Sequence, residues 1–343
     1  MTLDTARTVI DKIFNNVEND KVGIVISFFG GEPLLEFNLI KEIVAYTHSK
    51  KRKNKYIFFA STNGTLLTKE NKDWFAANKK FFILSLSLDG AKETQDSNRS
   101  KSFDKIDVDF FLKNWPEQSV KMTLSEYSLP RLANNIKFLH QLGFKKIYGV
   151  NAEGEFDWSK ENYLKILVPQ LKELVEFYVE NDTFELNQML SKQLHICEIK
   201  EKERHKWCGT GTGCPFFDVD GKMYPCAFFT PMTFSEDKLY EIAKTDFSND
   251  DNFIDEFCFE NCYIYPICPN CVGANYLVNK TFKERDKRRC KITKLITLFI
   301  ADLQAKRIMK NPKIYDDKTL YHTIEAIKKI RSFYLPEFEE YLK

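Results

Sequence analysis

Eight of the nine cysteines lie between Cys208 and Cys290, whereas residues 1–196 contain no cysteine. The eight are Cys208, Cys214, Cys226, Cys258, Cys262, Cys268, Cys271 and Cys290. Thiolates at this density bind zinc ions or iron–sulfur clusters, and eight are enough for two four-ligand centres. Zinc sites usually pair their ligands as Cys-x2–4-Cys, and only some of these cysteines are so spaced. We therefore favour iron–sulfur clusters over zinc, and we predict that the isolated Cys197 is a small buried side chain.

The composition is that of a globular protein without an obvious polyanionic partner. The chain has 343 residues, 43% of them hydrophobic, and a formal net charge of +2. A charge so close to neutrality gives no case for nucleic acid or an anionic membrane as a partner. No apolar stretch approaches the ~20 residues of a membrane helix, and the N-terminus lacks a signal-peptide pattern. We expect a cytoplasmic protein, in which clustered cysteines are metal ligands rather than disulfides.

In the first half of the chain, short apolar runs alternate with helical patterns. Strands are predicted at 22–29, 56–60, 81–88, 120–124 and 146–150, and helices at 34–47, 66–78 and 131–142. Continuous apolar strands separated by helices indicate parallel βα units covered on both faces. Active sites of such folds lie at the C-terminal ends of the strands. Segments 30–33, 61–64 and 87–90 and the segment after Val150 are therefore expected to share one rim.

The second half has fewer regular patterns. Residues 159–178 form an amphipathic helical stripe, with Pro169 as a possible kink, and are expected to bridge two domains. Residues 216–224 alternate about Asp220-Gly221, which predicts a β-hairpin. Two further helices are predicted at 292–307 and 319–333.

Three short motifs follow the predicted strands in register. They are Gly30-Gly31-Glu32-Pro33, Ser61-Thr62-Asn63-Gly64, and Ser87-Leu88-Asp89-Gly90 with Arg99 twelve residues after Ser87. Taken singly, the glycine pair could be a tight turn, Glu32 a surface charge, Asp89 a helix N-cap and Arg99 a solvated loop residue. Together with the cysteine spacing, the motifs resemble those of radical S-adenosylmethionine enzymes that carry a SPASM domain, especially peptide-modifying maturases.

The resemblance implies an α/β fold with a partial (β/α)6 TIM-like barrel that lacks its first strand. A C-terminal cysteine-rich SPASM domain with a β-hairpin and helices would follow it. The expected domains are residues 1–157 for the partial barrel, 158–207 for a bridging helical segment, 208–291 for the SPASM domain and 292–343 for C-terminal helices.

The resemblance also implies ligands for particular residues. Contacts to S-adenosylmethionine fall on Gly30, Gly31, Glu32, Pro33, Asn63, Ser87, Asp89 and Arg99. Of these, the glycine-rich segment would bind the amino group of the methionine, and Ser87 and Arg99 would hold the ribose and carboxylate. One auxiliary 4Fe–4S cluster would be bound by Cys208, Cys214, Cys226 and Cys271, and the other by Cys258, Cys262, Cys268 and Cys290.

One defining feature of that family is missing from the sequence. The Cys-x3-Cys-x2-Cys motif, whose cluster cleaves the cofactor to a 5′-deoxyadenosyl radical, does not occur in this chain. The chain is therefore either a fragment, which we favour because the cofactor-contacting motifs look intact, or a degenerate paralogue. By itself it is predicted to be inactive, and full binding of S-adenosylmethionine is in doubt without that cluster.

The predicted function is modification of a ribosomal peptide by radical chemistry, with flavodoxin or ferredoxin as electron donor. Sulfatase maturases have an aspartate directly after the cysteine that matches Cys226, and here that position is Ala227. This difference argues against formation of formylglycine. The alternative is a non-catalytic iron–sulfur protein that binds peptide or relays electrons for a full-length homologue.

Overall fold

The computed structural model describes residues 1–17, 19, 21–151, 157–198 and 202–342. By its internal contacts the chain divides into two compact units. The first unit comprises Met1–Thr123, Asn134–Gly149 and Phe217–Met223, and the second comprises Leu124–Ala133, Val150–Phe216 and Tyr224–Lys343. The four domain boundaries expected from the sequence remain a prediction.

Strands are concentrated in the first half of the chain and helices in the second. The strands are β1 (Ile24–Phe28), β2 (Tyr56–Thr62), β3 (Phe82–Leu86), β4 (Val120–Leu124), β5 (Ile147–Asn151), β6 (Phe216–Phe217) and β7 (Met223–Tyr224). The helices are α1 (Leu3–Asn16), α2 (Phe37–Ser49), α3 (Lys69–Asn78), α4 (Lys92–Asn98), α5 (Val108–Asn114), α6 (Leu132–Gln141), α7 (Glu161–Glu180), α8 (Glu236–Ala243), α9 (Glu256–Asn261), α10 (Val272–Asn279), α11 (Cys290–Lys310) and α12 (Asp317–Leu342).

The sheet of the first unit is parallel, as the alternation of strands and helices predicts. β1 pairs with β2 and β2 with β3, all parallel, with Ile26 opposite Phe58 and Phe58 opposite Phe82. On one face, Phe28 stacks on Phe58 and Phe82 with ring centroids 6.0 and 5.8 Å apart. This face is the core of the sheet, and the α/β class is confirmed.

The opposite face of the sheet is exposed at β1, although the sequence predicts that both faces are covered. Along β1, Ile24 and Ile26 are buried while Val25 between them is 62% exposed. The apolar run of β1 therefore covers a core on one face only. The physical reason is that no described element covers the Val25 side of β1. In the described part of the chain β1 also hydrogen-bonds to β2 alone, which makes it an edge strand.

The strands form small sheets in the described residues and do not close into a barrel. β1, β2 and β3 form one sheet and β4 pairs with β5, while a single parallel bridge joins Ser87 to Lys121. The barrel form therefore stays a prediction. Among the described residues, no helix combines the length and apolar character needed to cross a bilayer.

Helix boundaries differ from the predicted ones where local hydrogen bonds intervene. α2 begins at Phe37 rather than near residue 34, because Pro33–Glu36 forms a 3-10 turn. α7 continues through Pro169 as a single helix. α12 extends to Leu342, beyond the predicted end at residue 333. The sequence analysis missed the short helices α4, α5, α8, α9 and α10, which have too few turns to give a periodic stripe.

The second unit has its own aromatic core. Phe229 is completely buried and contacts the rings of Phe234, Phe247 and Phe282 at centroid distances of 5.7 to 5.9 Å. Elsewhere in this unit, α11 packs against both α7 and α12. β6 and β7 pair as the predicted hairpin, whose residues Phe217–Met223 belong to the first unit and in which Gly221 adopts a left-handed φ of 83°.

Replacement of Phe58 tests the core assignment of the sheet. Phe58 is 0% exposed, so Phe58→Ala leaves a cavity and is expected to lower the free energy of unfolding of the first unit by about 3–5 kcal/mol. Val25→Thr on the open face of β1 is the control, with an expected change within about 0.5 kcal/mol. Urea denaturation followed by hydrogen exchange of the sheet peptides measures both. Equal effects of the two variants would contradict the assignment.

Candidate functional site

Glu32 joins the loop after β1 to the end of β2. Its Oε1 accepts hydrogen bonds from the backbone N–H of Leu34 at 3.1 Å and from the hydroxyl of Thr62 at 2.8 Å. Its Oε2 accepts from the backbone N–H of Asn63 at 2.8 Å. A carboxylate that accepts three hydrogen bonds from two segments holds those segments together. Glu32 is therefore not a plain surface charge.

The glycine pair beside Glu32 borders open space. A Cβ atom built on Gly30 or Gly31 would meet no atom within 4 Å, so packing within the chain does not require glycine there. Pro33 begins the 3-10 turn that follows. The Asn63 side chain is used locally, because its Oδ1 accepts from the N–H of Thr65 at 2.9 Å and from its hydroxyl at 2.7 Å.

The buried Asp89 and the partly exposed Arg99 form a bidentate pair at the end of β3. Arg99 Nε lies 2.8 Å from Asp89 Oδ2, and Arg99 Nη2 lies 3.0 Å from Asp89 Oδ1. Asp89 Oδ1 also accepts from the backbone N–H of Thr123 at 3.0 Å. Ala91, not Asp89, is the N-cap residue of α4. One edge of the Arg99 guanidinium, expected to face a cofactor carboxylate, is therefore occupied by Asp89.

The backbone on both sides of α4 is held in unusual conformations. Gly90 has a φ of +137°, and a Cβ there would lie 2.2 Å from Asn135 Oδ1, which accepts the N–H of Ala91. After Arg99, Ser100 and Lys101 have φ values of 51° and 55°. Left-handed residues other than glycine are costly and persist where the surrounding structure determines them. The position of Arg99 is thus tightly specified.

Two further polar groups lie on this side of the sheet. Ser61 Oγ and Ser87 Oγ are 3.4 Å apart. Lys121 on β4 places Nζ 4.9 Å from the centre of the Phe59 ring, and burial lowers the pKa of this lysine. The sequence analysis missed Lys121, although its alternation with Val120 and Met122 was a usable signal for a half-open strand.

The structure brings together three of the four segments predicted to share a rim. Glu32 contacts the end of β2, Ser61 lies beside Ser87, and Asp89 binds the backbone of Thr123. The fourth segment follows Val150, and its residues 152–156 lie outside those that the structure describes.

Five cysteines line one cleft of the second unit. They are Cys258, Cys262, Cys268, Cys271 and Cys290, and the volume is about 590 Å³ including the part open to solvent. Four of them are the set assigned to one cluster by resemblance. The fifth, Cys271, belongs to the other predicted set, and its Sγ accepts the N–H of Ala274 at 3.5 Å to cap α10.

Three of the four other cysteines are neighbours in another part of the second unit. Burial raises the pKa of Cys208, and charge on Cys226 and Cys214 would raise it further. The Cys208 loop is anchored by Lys206, whose Nζ lies 2.6 Å from the carbonyl oxygen of Phe247 and 2.8 Å from Asp250 Oδ1. Cys208, Cys214 and Cys226 are thus close enough to influence one another, whereas Cys271 lines the other cleft, and the division of the eight cysteines into two ligand sets stays a prediction.

The cleft is better suited to a group of several atoms with negative charge than to a single metal ion. In the described part of the chain, no three or more His, Cys, Asp or Glu side chains converge closely enough to bind a single ion. Arg285 lines the cleft and is only 8% exposed, yet its Nε has no hydrogen-bond partner among the described residues. A buried donor without a partner is unfavourable unless a ligand accepts from it. Thiolate-ligated iron–sulfur clusters carry negative charge and accept such bonds.

Cys197 is not among the residues that line the cleft. Burial raises its pKa to about 12, with a smaller contribution from the charge of Glu198. The residue is partly rather than fully buried, in contrast to the small buried side chain that the sequence predicts.

The chain is similar over most of its length to known proteins. The cysteine-type anaerobic sulfatase-maturating enzyme of Clostridium novyi (strain NT) is 23% identical over 295 residues, which cover 78% of this chain and 77% of the relative. The chain is homologous to anaerobic sulfatase-maturating enzymes.

Solved structures of such an enzyme share the fold. Native anSMEcpe with bound AdoMet has a TM-score of 0.65 at 17% identity, covering 92% of this chain and 90% of that one. The same protein with AdoMet and the Cp18Cys peptide has a TM-score of 0.61 at 17% identity, covering 96% and 92%.

A sequence profile described as a 4Fe-4S single cluster domain matches residues 2–106. These residues contain no cysteine. The match to this profile therefore includes no thiol, and all nine cysteines lie in the second half of the chain.

Asp89→Asn tests the pair that positions Arg99. Asn is neutral and has one acceptor oxygen, so it cannot accept both hydrogen bonds of the Arg99 guanidinium. We therefore expect a loss of about 3 kcal/mol in unfolding free energy and faster hydrogen exchange around residues 96–101. Asp73→Asn, at an exposed position of α3, is the matched control and should change the stability by less than about 0.5 kcal/mol. Unchanged exchange in Asp89→Asn would contradict the positioning role.

Proposed function

We propose that this protein is a radical S-adenosylmethionine maturase that modifies a ribosomal peptide and carries a SPASM-type domain with two auxiliary 4Fe–4S clusters. The observation that carries the proposal is the cleft lined by Cys258, Cys262, Cys268 and Cys290. The Nε of Arg285 beside it has no hydrogen-bond partner among the residues that the structure describes. Homology to protein-modifying maturases supports the same chemistry.

The eight clustered cysteines would hold the two clusters. Cys258, Cys262, Cys268 and Cys290 would bind one, and Cys208, Cys214, Cys226 and Cys271 the other. Cys271 is the ligand whose partition rests on resemblance alone, because it also lines the first cleft. With four thiolates each, both clusters would be fully ligated, which fits electron relay rather than direct substrate binding. A small acidic carrier such as flavodoxin or ferredoxin is the proposed electron source.

The rim at the ends of β1, β2 and β3 would bind S-adenosylmethionine. Exposed backbone at Gly30 and Gly31 offers close approach to the amino group of the methionine, and Glu32 fixes that loop to Asn63. Ser87, Asp89 and the unpaired edge of the Arg99 fork complete the proposed contacts. When bound, the cofactor supplies a 5′-deoxyadenosyl radical for hydrogen abstraction.

The substrate is proposed to be a ribosomal peptide rather than a sulfatase. anSMEcpe has been solved with bound peptides, which supports a peptide as substrate class. The residue after Cys226 is Ala227, whose methyl group can neither accept nor donate a proton. A formylglycine-forming reaction that uses a base at this position would have none here.

A second candidate function follows from the cysteine-free first half. Residues 2–106 match a 4Fe-4S profile without containing a cysteine, so they do not supply thiolates for a cofactor-cleaving cluster. This observation favours a non-catalytic iron–sulfur partner that binds peptide or relays electrons. The two functions separate in an assay for 5′-deoxyadenosine with S-adenosylmethionine and dithionite. Product from the purified chain supports the maturase, and stimulation of a full-length homologue without product of its own supports the relay.

Iron content tests the auxiliary clusters. After anaerobic reconstitution the chain is expected to bind about eight irons as two four-iron clusters. Cys262→Ala removes one ligand of the cleft and should bring the content to about four, whereas Cys197→Ala, the matched cysteine control, should keep about eight. Iron and sulfide analysis with electron paramagnetic resonance of the reduced protein measures this. Two zinc ions per chain, or an equal loss of iron in both variants, would contradict the assignment of two iron–sulfur clusters.

Binding of S-adenosylmethionine tests the rim. Glu32→Gln replaces one acceptor oxygen by an NH2 group, so the side chain can no longer accept hydrogen bonds from both the Leu34 and the Asn63 segments. The Kd for S-adenosylmethionine is therefore expected to rise about tenfold, equivalent to about 1.4 kcal/mol. Glu36→Gln, at the exposed end of the same 3-10 turn, should leave Kd unchanged. Isothermal titration calorimetry on the reconstituted protein compares them. A wild-type chain without measurable binding would exclude the rim as the cofactor site.

A further inference from the structure

A lysine contacts one of the cleft thiols directly. Lys287 Nζ lies 2.7 Å from Cys258 Sγ and 2.8 Å from Asp255 Oδ2. The lysine side chain is 51% exposed, whereas the Asp255 side chain is only 5% exposed. The ammonium group thus sits at the boundary between solvent and a buried carboxylate, with the sulfur as its second partner.

Asp255 is the buried residue that holds this lysine in position. Its Oδ1 accepts the backbone N–H of Cys258 at 2.9 Å and so caps α9, the helix on which Cys258 lies. Its Oδ2 accepts the backbone N–H of Arg285 at 2.9 Å. One buried carboxylate therefore joins the helix that carries Cys258 to the segment that leads into Cys290.

The contact differs from the ion pairs around it. Lys294, which also lines the cleft, bonds to Glu337 at 2.9 Å, and Arg288 pairs with Asp286 at 2.7 Å. Each of those cations is paired with a carboxylate, the partly exposed Glu337 or Asp286, whose side chain is only 7% exposed, and these two contacts involve no thiol. Lys287 has a carboxylate as well, but its geometry also directs an N–H toward sulfur, which a simple surface ion pair does not require.

We propose that Lys287 tunes the reduction potential of the centre ligated by Cys258, Cys262, Cys268 and Cys290. The inference rests on the proposed function, because it requires a cluster on these thiols. Reduction adds one electron, supplied by the carrier protein or by a chemical reductant, and makes the thiolate sulfurs more negative. An N–H···S bond and a nearby positive charge stabilise that reduced form and raise the potential.

The test compares midpoint potentials in the whole reconstituted protein. Lys287→Met removes the donor and the charge, and it should shift the midpoint of one of the two centres downward by roughly a tenfold change in the reduction equilibrium, about 59 mV for one electron. Lys287→Arg keeps a charged donor and should restore most of the wild-type potential. Lys283→Met, an exposed lysine of the same segment, is the control for loss of charge alone and should shift the midpoint far less.

Dithionite titration followed by electron paramagnetic resonance reads the potentials, and iron analysis accompanies each variant. Full iron content with an unchanged midpoint in Lys287→Met overturns the tuning role and leaves the proposed function intact. A wild-type chain that binds no iron overturns the proposed function itself, and the tuning role with it. If Lys287→Met loses iron, Lys287→Gln, a neutral donor, is measured instead, and a midpoint equal to that of the wild type overturns the tuning role.

Discussion

Carboxylates that gather backbone N–H groups from separate segments are the constraint on which both candidate sites depend. Asp89 and Asp255 are buried, and Glu32 is partly buried. Glu32, Asp89 and Asp255 each accept from groups far apart in the sequence. A carboxylate withdrawn from water is tolerated only when its oxygens are satisfied. Each of these residues therefore forces the loops that satisfy it into fixed relative positions, and those loops carry the glycine pair, Arg99 and two of the thiols.

The two sites use this device with different surroundings. On the rim, the carboxylates meet polar loop ends beside a half-open sheet face. In the cleft, the carboxylate lies beneath a group of cations and thiols, with Arg285 stacked over the Tyr265 ring at 3.9 Å. Burial raises the pKa of Cys290 to about 11, so cations and a bound cluster have a large effect on whether the sulfurs are ionised.

The sequence predicted the elements whose signals are local. The five strands are recognisable because each is a short apolar run bounded by turn residues, and β4 has the predicted bounds of 120–124. The hairpin follows from Asp220-Gly221. Contacts at long range could not be read in the same way: Lys287 and Asp255 are 32 residues apart, and Glu32 and Thr62 are 30 apart. The partition of Cys271 rests on resemblance, because spacing alone does not distinguish the two sets.

The open face of β1 has a consequence for how the polypeptide behaves in solution. Val25 and Phe29 expose 62% and 72% of their surface, and in the described residues the outer edge of β1 has no strand beside it. Unpaired backbone flanked by apolar side chains is a template for strand addition by another molecule. If copies of the polypeptide associate through this edge, the association is bimolecular, and dilution would oppose it in proportion to the concentration.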